Sequence, residues 1–67
     1  MLTTKVKAAL FDDPVTKARQ INVETYRGVV QLSGFVDSLA ESSEATKVAR
    51  SVNDVREVRN DLDLKQR

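Results

Sequence analysis

The first segment of the chain repeats apolar residues with the spacing of an α-helix. The positions that share its apolar face are Leu2, Val6, Ala9 and Leu10. Thr3 or Thr4 offers a hydroxyl that caps a helix start, so the pattern predicts a first helix from about Thr4 to Phe11. Pro14 ends that helix, because proline cannot continue the hydrogen-bond ladder. In an alternative interpretation, Asp13 caps one further helical turn that has Pro14 at its first position.

A loop is predicted up to Arg19, and from Gln20 the period changes to that of a β-strand. One side of this first strand carries Ile21, Val23 and Thr25. Arg27 and Gly28 follow the strand, and glycine readily takes the positive φ that a tight hairpin loop needs. The pattern therefore predicts a second strand, Val29–Val36, that runs antiparallel to the first.

The second strand has two unlike faces. One carries Val30, Leu32, Gly34 and Val36, and the other carries Val29, Gln31, Ser33 and Phe35. We expect Gly34 to leave a gap where a helix approaches the sheet closely. The other face is expected to be partly exposed around Phe35. This aromatic ring is either covered locally or forms a docking patch for a sister domain, a lipid or a partner protein.

A second helix is predicted from about Leu39 to Val52. Ser38 and Glu41 have the spacing of a capping box at its start. Its apolar stripe consists of Ala45, Val48, Ala49 and Val52. The last segment alternates again, which predicts a third, half-solvated strand. The apolar side of that alternation is Val58, Asn60, Leu62 and Leu64.

The predicted order of elements is helix, strand, strand, helix, strand. Three strands that are apolar on one side are buried when both helices cover that side. The hairpin makes the first two strands antiparallel, and a right-handed crossover through the second helix makes the third strand parallel to the second. The sequence therefore predicts a single α+β domain over residues 1–67, a two-layer sandwich with a three-stranded mixed sheet and two helices on one face.

The length of the chain limits the size of its core. A domain of 67 residues buries only about 60% of the surface that its unfolded chain exposes. The chain has no cysteine and no histidine, so neither a disulfide nor a zinc site can reinforce that core. At ~0.05 to 0.15 kcal/mol per residue, the free energy of unfolding is expected to be about 3 to 10 kcal/mol.

The charge of the chain is nearly balanced. Eleven basic residues face ten acidic residues, which gives a net charge of +1, and the aromatic residues are Phe11, Tyr26 and Phe35. Nucleic-acid binding requires a basic stripe and, for single strands, stacking aromatic rings. Nucleic acid is therefore an unlikely partner.

The composition also argues against catalysis. Nucleophilic mechanisms of the Ser-His-Asp or Cys-His type need histidine or cysteine, and this chain has neither. Two pairs of carboxylates are close in sequence, Asp12 with Asp13 and Asp61 with Asp63, but a helix end and a polar strand face are not the dry pockets that tune a carboxyl group for catalysis. No metal loop or phosphate loop is present in the sequence. We expect a protein that is not an enzyme and holds no cofactor and no metal.

No stretch of the sequence approaches the ~18 apolar residues that span a bilayer. The opening residues, Met1 to Lys5, lack the basic start and apolar run of a signal peptide. If the chain is complete, it is expected to be cytoplasmic.

A resemblance to a known family rests on three stretches of the chain. They are VETYRGVVQLSGFV at residues 23–36, VREVRNDL at residues 55–62 and LTTKVKAAL at residues 2–10. Through them, the chain resembles the BON domain of bacterial envelope proteins over essentially its whole length. The resemblance implies a non-catalytic αββαβ module, usually exported to the periplasm and often repeated in a longer chain. It also implies contact with phospholipid membranes and a role in envelope integrity under osmotic stress.

The resemblance assigns architectural roles to five residues. The glycines of the family match Gly28 and Gly34, and its terminal Asn-Asp-Leu motif matches Asn60, Asp61 and Leu62. Asn60 falls on the apolar face of its strand. We expect its buried amide to find hydrogen-bond partners by fixing a nearby turn.

The resemblance also implies that a helix meets anionic headgroups. The first helix offers Lys5 and Lys7 as cations and Phe11 as an apolar tip. Two lysines worth about 1 kcal/mol each give a weak, salt-sensitive attraction. The expected partner is an anionic phospholipid surface or an envelope protein, together with sister BON domains in a longer chain. The alternative is a protein-interaction or holdase-like domain that captures partners around Phe35 without touching lipid.

Overall fold

A computed structural model describes residues 2–16 and 20–65. The elements in chain order are α1 (Leu2–Asp12), β1 (Ile21–Tyr26), β2 (Val29–Val36), α2 (Leu39–Ser51) and β3 (Glu57–Leu64). The predicted order is confirmed. The helix ends differ slightly from the prediction, since α1 begins two residues before Thr4 and α2 ends one residue before Val52. The predicted loop up to Arg19 lies partly outside the described residues.

The sheet has the predicted mixed topology. Its strand order is β1-β2-β3, with β1 antiparallel to β2 and β3 parallel to β2. Both helices pack on the same side of this sheet, α1 mainly against β1 and α2 mainly against β3. The α+β sandwich with two helices on one face is therefore confirmed.

The core lies between the helices and the sheet. Its buried apolar residues are Val6, Leu10, Ile21, Val23, Val30, Leu32, Val36, Ala45 and Ala49. The two alanines let α2 lie close to the sheet, and Val48 and Val52 pack at the border of the core. These four residues form the predicted apolar stripe of α2.

Gly28 lies in the predicted hairpin turn and also contacts the residue just before β3. Arg27 and Gly28 have φ angles of 50° and 83°, as a two-residue type I′ turn requires. The carbonyl of Gly28 accepts a hydrogen bond from the backbone amide of Arg56, at 2.7 Å. A Cβ at Gly28 would lie 2.8 Å from side-chain carbons of Arg56. The hairpin turn and the beginning of β3 are therefore packed together.

Gly34 has a different role from the one predicted. Its φ is +122°, and a Cβ there would lie 1.9 Å from the carbonyl oxygen of Gln20. The close neighbour is thus the backbone just before β1, and the expectation of a helix approaching at this glycine is wrong. The amide of Phe35 donates to the same Gln20 carbonyl, at 3.1 Å, so the close approach extends the pairing of β1 with β2.

The start of α2 carries the predicted cap. Ser38 is the N-cap, and its hydroxyl accepts a hydrogen bond from the amide of Glu41 at 3.1 Å. The carboxylate of Glu41 accepts from the amide of Asp37, at 3.0 Å, which is one residue earlier than in the usual capping box. Two backbone amides at this helix start are therefore satisfied by side chains.

The end of α1 leads into a turn capped by Asp13. Its Oδ1 accepts hydrogen bonds from the amides of Val15 and Thr16, at 2.8 and 3.2 Å. The Thr16 hydroxyl is buried and donates to the carbonyl of Leu10. The alternative interpretation, in which Asp13 caps a further turn with Pro14 at its first position, describes this segment, although it forms a turn and not a helix.

Candidate functional site

One flank of α1 and the adjacent edge of β1 form an apolar groove. It is lined by Thr4, Lys7, Ala8, Leu10, Phe11, Ile21 and Val23 and has a volume of about 450 Å³. Among residues 2–16 and 20–65, Lys7 is the one charged residue that lines the groove, and Phe11 is 71% exposed. The structure therefore brings together two of the predicted contact residues, Lys7 and Phe11.

Lys5 lies on the other flank of α1. Residues two positions apart are separated by about 200° around a helix, so Lys5 and Lys7 point to opposite sides. Both are exposed, and they flank a crest that includes the exposed Thr4 and Ala8. Within residues 2–16 and 20–65, neither lysine forms an ion pair. The exposed side of α1 thus carries one lysine on each flank and small, uncharged side chains between them, and the helix ends at the exposed carboxylate of Asp12.

The position of α1 is fixed at its N-terminal end by a hydrogen bond to β1. The hydroxyl of Thr3 lies 2.6 Å from that of Thr25. Leu10, near the other end of the helix, is fully buried against the sheet. The helix therefore runs antiparallel to β1, and its groove follows the strand.

Phe35 does not line this groove and lies on the opposite face of the sheet, which neither helix covers. Its side chain is 53% exposed, and Tyr26 on the same face is 72% exposed. Phe35 also lines a separate cavity of about 170 Å³ together with Val15, Thr16, Gln20, Val36, Asp37, Glu41 and Lys65. The structure does not bring Phe35 together with Lys5, Lys7 or Phe11.

The uncovered face carries most of its charges on β3, and Glu24 on β1 adds one more. The outward side chains of β3 are Glu57, Arg59, Asp61 and Asp63. Arg59 forms an ion pair with Glu57 at 3.1 Å, and Asp61 accepts a hydrogen bond from Gln31 at 3.0 Å. The central strand contributes uncharged side chains, so the face combines an uncharged centre with an acidic border.

Asn60 connects β3 to α2. Its Nδ2 donates to the hydroxyl of Thr46 at 2.7 Å, to the hydroxyl of Ser42 at 3.0 Å and to the carbonyl of Ser42 at 3.1 Å, and its Oδ1 accepts from the amide of Leu62 at 2.9 Å. The side chain is on the helix side of the sheet, as predicted. It is exposed at the border of the core, however, and it holds a helix and not a turn, so that part of the expectation is wrong.

Asp61 and Leu62 complete the motif that begins at Asn60. The carboxylate of Asp61 bonds to Gln31 on the uncovered face, and Leu62 packs at the border of the core on the other face. Each of the three residues thus fastens β3 to a different neighbour. Their contacts are architectural in kind.

An acidic pair lies between the end of α1 and α2. A hydrogen bond that Glu44 donates to Asp13 raises the pKa of Glu44, aided by partial loss of hydration and by the negative charge of Asp13. Partial loss of hydration acts to raise the pKa of Asp13, but hydrogen bonds from Val15, Glu44 and Thr16 and the charge of Lys47 outweigh it and lower that pKa. Glu44 therefore binds a proton more readily than an isolated glutamate does.

The carboxylates considered as candidate acids and bases are held in structural contacts or exposed to solvent. Asp13 is engaged as a cap, and Asp61 and Asp63 lie on an exposed strand face. In the described ranges 2–16 and 20–65, no three acidic side chains come together as a metal site would require. The helices described are also too short and too polar to cross a bilayer.

Two features of these surfaces were missed in the sequence. The groove depends on Thr4, Lys7, Ala8 and Phe11, whose spacing of three, four and seven residues marks one helix flank. That signal was available beside the apolar stripe. The contact of Glu44 with Asp13 had no signal in the sequence, because it depends on how α2 lies against the end of α1.

Comparison with known proteins places the chain in a family. The family model described as BON domain matches residues 1–66. The osmotically-inducible protein Y of Escherichia coli strain K12 is 48% identical to the chain over 63 residues, which cover 94% of this chain and 31% of that protein. The chain thus spans about a third of the length of this relative. By the extent of both matches, the chain belongs to the BON domain family.

Proposed function

We propose that this domain is a non-catalytic module of the bacterial envelope that binds anionic phospholipid surfaces weakly through α1 and contributes to protection against osmotic stress. The observation that carries the proposal is the exposed side of α1. It presents Lys5 and Lys7 on two flanks of an uncharged crest, with the exposed ring of Phe11 at one end. A helix lying on a membrane needs this arrangement of cations beside an apolar surface.

The stress context is supported by the relative, whose name states that it is osmotically inducible. That protein is about three times as long as the matched segment, since the match covers 31% of it. The proposal also includes a periplasmic location and joint action with sister BON domains. Both points rest on the resemblance to the family. The near-neutral charge of the chain makes nucleic acid a poor alternative partner.

The geometry supports weak attraction by a single domain. Each lysine near an anionic surface contributes ~1 kcal/mol, and the attraction is screened over a Debye length of about 8 to 10 Å at physiological salt. Asp12, the last residue of α1, is exposed and opposes the lysines. Useful retention at a membrane then depends on several copies acting together, since linked weak sites gain from a high effective concentration.

Co-sedimentation with vesicles tests this proposal. The domain is mixed with phosphatidylcholine vesicles and with vesicles that also contain phosphatidylglycerol, at low and moderate salt. Binding is expected only with the anionic vesicles and is expected to fall as salt rises. The variant Lys5→Gln/Lys7→Gln should lose most of it, whereas the control Lys47→Gln/Arg50→Gln, which removes the same charge from α2, should retain it. Equal loss in both variants would indicate non-specific charge attraction and would contradict a site on α1.

A second candidate function rests on the uncovered face of the sheet. Phe35 and Tyr26 are 53% and 72% exposed at opposite ends of this face, and the half-buried Val29 lies beside Tyr26. Such a face suits a protein-interaction or holdase-like domain that captures apolar segments. Apolar capture persists at high salt, whereas headgroup attraction does not. Suppression of the aggregation of an unfolded test protein that survives high salt and is lost in Phe35→Ser would favour this candidate over lipid binding.

A further inference from the structure

The free edge of β1 has the geometry of a strand acceptor. In the β1–β2 ladder, the amide of Phe35 donates to the carbonyl of Gln20. Hydrogen-bonded and non-hydrogen-bonded pairs alternate along an antiparallel ladder. With the observed register, the backbone groups of Asn22, Glu24 and Tyr26 therefore also form hydrogen bonds with β2. The backbone groups of Ile21, Val23 and Thr25 therefore point away from β2.

No strand among residues 2–16 and 20–65 pairs with this outer edge, because β1 is at one end of the strand order. The opposite edge, on β3, is bordered by a charged side chain at every second position, a feature that discourages pairing with another chain. On β1, Glu24 is the only charged residue. The β1 edge thus lacks the protection that the β3 edge has.

The groove beside α1 lies along this same edge. Its floor contains the side chains of Ile21 and Val23, the residues whose backbone groups point outward. A strand added to β1 would place every second side chain over the groove, because side chains alternate between the faces of a sheet. The groove therefore supplies a side-chain site directly beside the backbone site.

The spacing and charge of the groove specify what such a strand would carry. Lys7 and Phe11 are four residues apart, about 6 Å along α1, and alternate side chains of a strand are about 6.8 Å apart. Of the described residues that line the groove, Lys7 alone carries a charge. An acidic side chain beside Lys7 and an apolar side chain beside Phe11 therefore fit two inward positions of one extended peptide.

We propose that the β1 edge binds an extended peptide by strand addition. Two alternate side chains of this peptide enter the groove, an acidic one beside Lys7 and an apolar one beside Phe11. Main-chain hydrogen bonds to Ile21, Val23 and Thr25 provide affinity, and the groove provides selectivity. This site is distinct from the uncovered face around Phe35. It also differs from lipid contact, because a lipid does not form alternating backbone hydrogen bonds with a strand.

The test uses a short acetylated and amidated peptide in which valine alternates with threonine and one inward valine is replaced by glutamate. Titration into the labelled domain is followed by amide NMR and hydrogen exchange. Binding is expected to slow the exchange of the Ile21, Val23 and Thr25 amides, while those of Asn22, Glu24 and Tyr26 are already slow in the free domain. Absence of binding at millimolar peptide, or binding without that alternating protection, would overturn the proposal.

Matched peptides and variants make the test selective. A peptide methylated at the amide nitrogens that face β1 should fail to bind, whereas methylation of the outward-facing nitrogens should be tolerated. Lys7→Glu should lower the affinity for the glutamate peptide by about fivefold and raise the affinity for a peptide with lysine at that position. The control Lys5→Glu makes the same charge change outside the groove and should leave the peptide preference unchanged. Equal binding of the two methylated peptides would contradict strand addition, whatever the outcome with vesicles.

Discussion

The side-chain amide nitrogen of Asn60 lies 2.7 Å from the hydroxyl of Thr46, so a side chain of β3 holds the middle of α2. The same nitrogen is within hydrogen-bond distance of both oxygens of Ser42. The parallel strand that ends the fold is thereby joined to the crossover helix that leads into it. In a core this small, such a polar link at the border supplements the apolar packing of Leu62 and Ala45.

Replacing Asn60 by aspartate should destabilise the domain. A carboxylate cannot donate to Thr46 or Ser42, and hydrogen bonds of this kind are worth about 0.5 to 1.5 kcal/mol each. We expect a loss of about 1 to 2 kcal/mol in the free energy of unfolding, measured by urea denaturation. Gln31→Ala, which removes one exposed hydrogen bond to Asp61, is the control and should cost less than about 0.5 kcal/mol. An unchanged midpoint for Asn60→Asp would show that the link to α2 does not contribute.

Gly34 should tolerate no side chain. A Cβ there would overlap the carbonyl oxygen of Gln20, and backbone cannot move aside without breaking the pairing of β1 with β2. Gly34→Ala is expected to cost more than ~3 kcal/mol, a large part of the total stability, and to abolish the cooperative thermal transition.

The contrasting substitution is Gly28→Asn. Asparagine accepts the positive φ of this turn, and the neighbouring Arg56 carbons belong to a flexible side chain. We expect this variant to fold and to lose at most about 1 kcal/mol. If thermal unfolding showed Gly28→Asn to be the more damaging of the two, the assignment of the close backbone approach to Gly34 would be wrong.

Glu44→Gln should change how stability depends on pH. The raised pKa of Glu44 means that folding favours its protonated form, so this contribution to stability is present below its unfolded pKa and is lost as pH rises through the folded value. The lowered pKa of Asp13 acts in the opposite direction, giving stability that is lost as pH falls through its folded value. Lys47 is the basic group that faces both carboxyls.

Glutamine keeps a donor for Asp13 and carries no charge. The variant is therefore expected to be more stable than the parent at neutral pH, with a difference that shrinks as pH falls through the raised folded pKa of Glu44 towards the ordinary glutamate pKa of 4.5. Denaturation midpoints measured across that range check the prediction. A constant difference at all pH values would show that the two carboxyls are not linked.

Periodicity was sufficient to predict the layers of this fold. The apolar positions of β1, β2 and β3 fall on one face because strand side chains alternate, and helical spacing identified the buried faces of α1 and α2. Periodicity does not indicate which part of the chain packs against a given position. Gly34 was expected to meet a helix and instead meets Gln20, and its φ of +122° has no signature in the sequence.

The candidate surfaces were predicted in part. Lys7 and Phe11 were chosen as contact residues, and they meet because they are one turn apart on α1. Lys5 was grouped with them by its charge, although its position places it on the other flank. The α1 flank of the groove had a signal in the sequence, but its other side had none, because it requires β1 to lie beside α1 with one edge free.

The most direct measurement of the central claim is an amide NMR titration of the labelled domain with bilayer nanodiscs, first zwitterionic and then anionic, at low and moderate salt. Membrane binding through α1 predicts shifts or broadening with anionic nanodiscs alone, confined to residues around Lys5, Lys7 and Phe11 and reduced by salt. A spectrum that remains unchanged at high concentrations of anionic lipid would contradict lipid binding by the single domain.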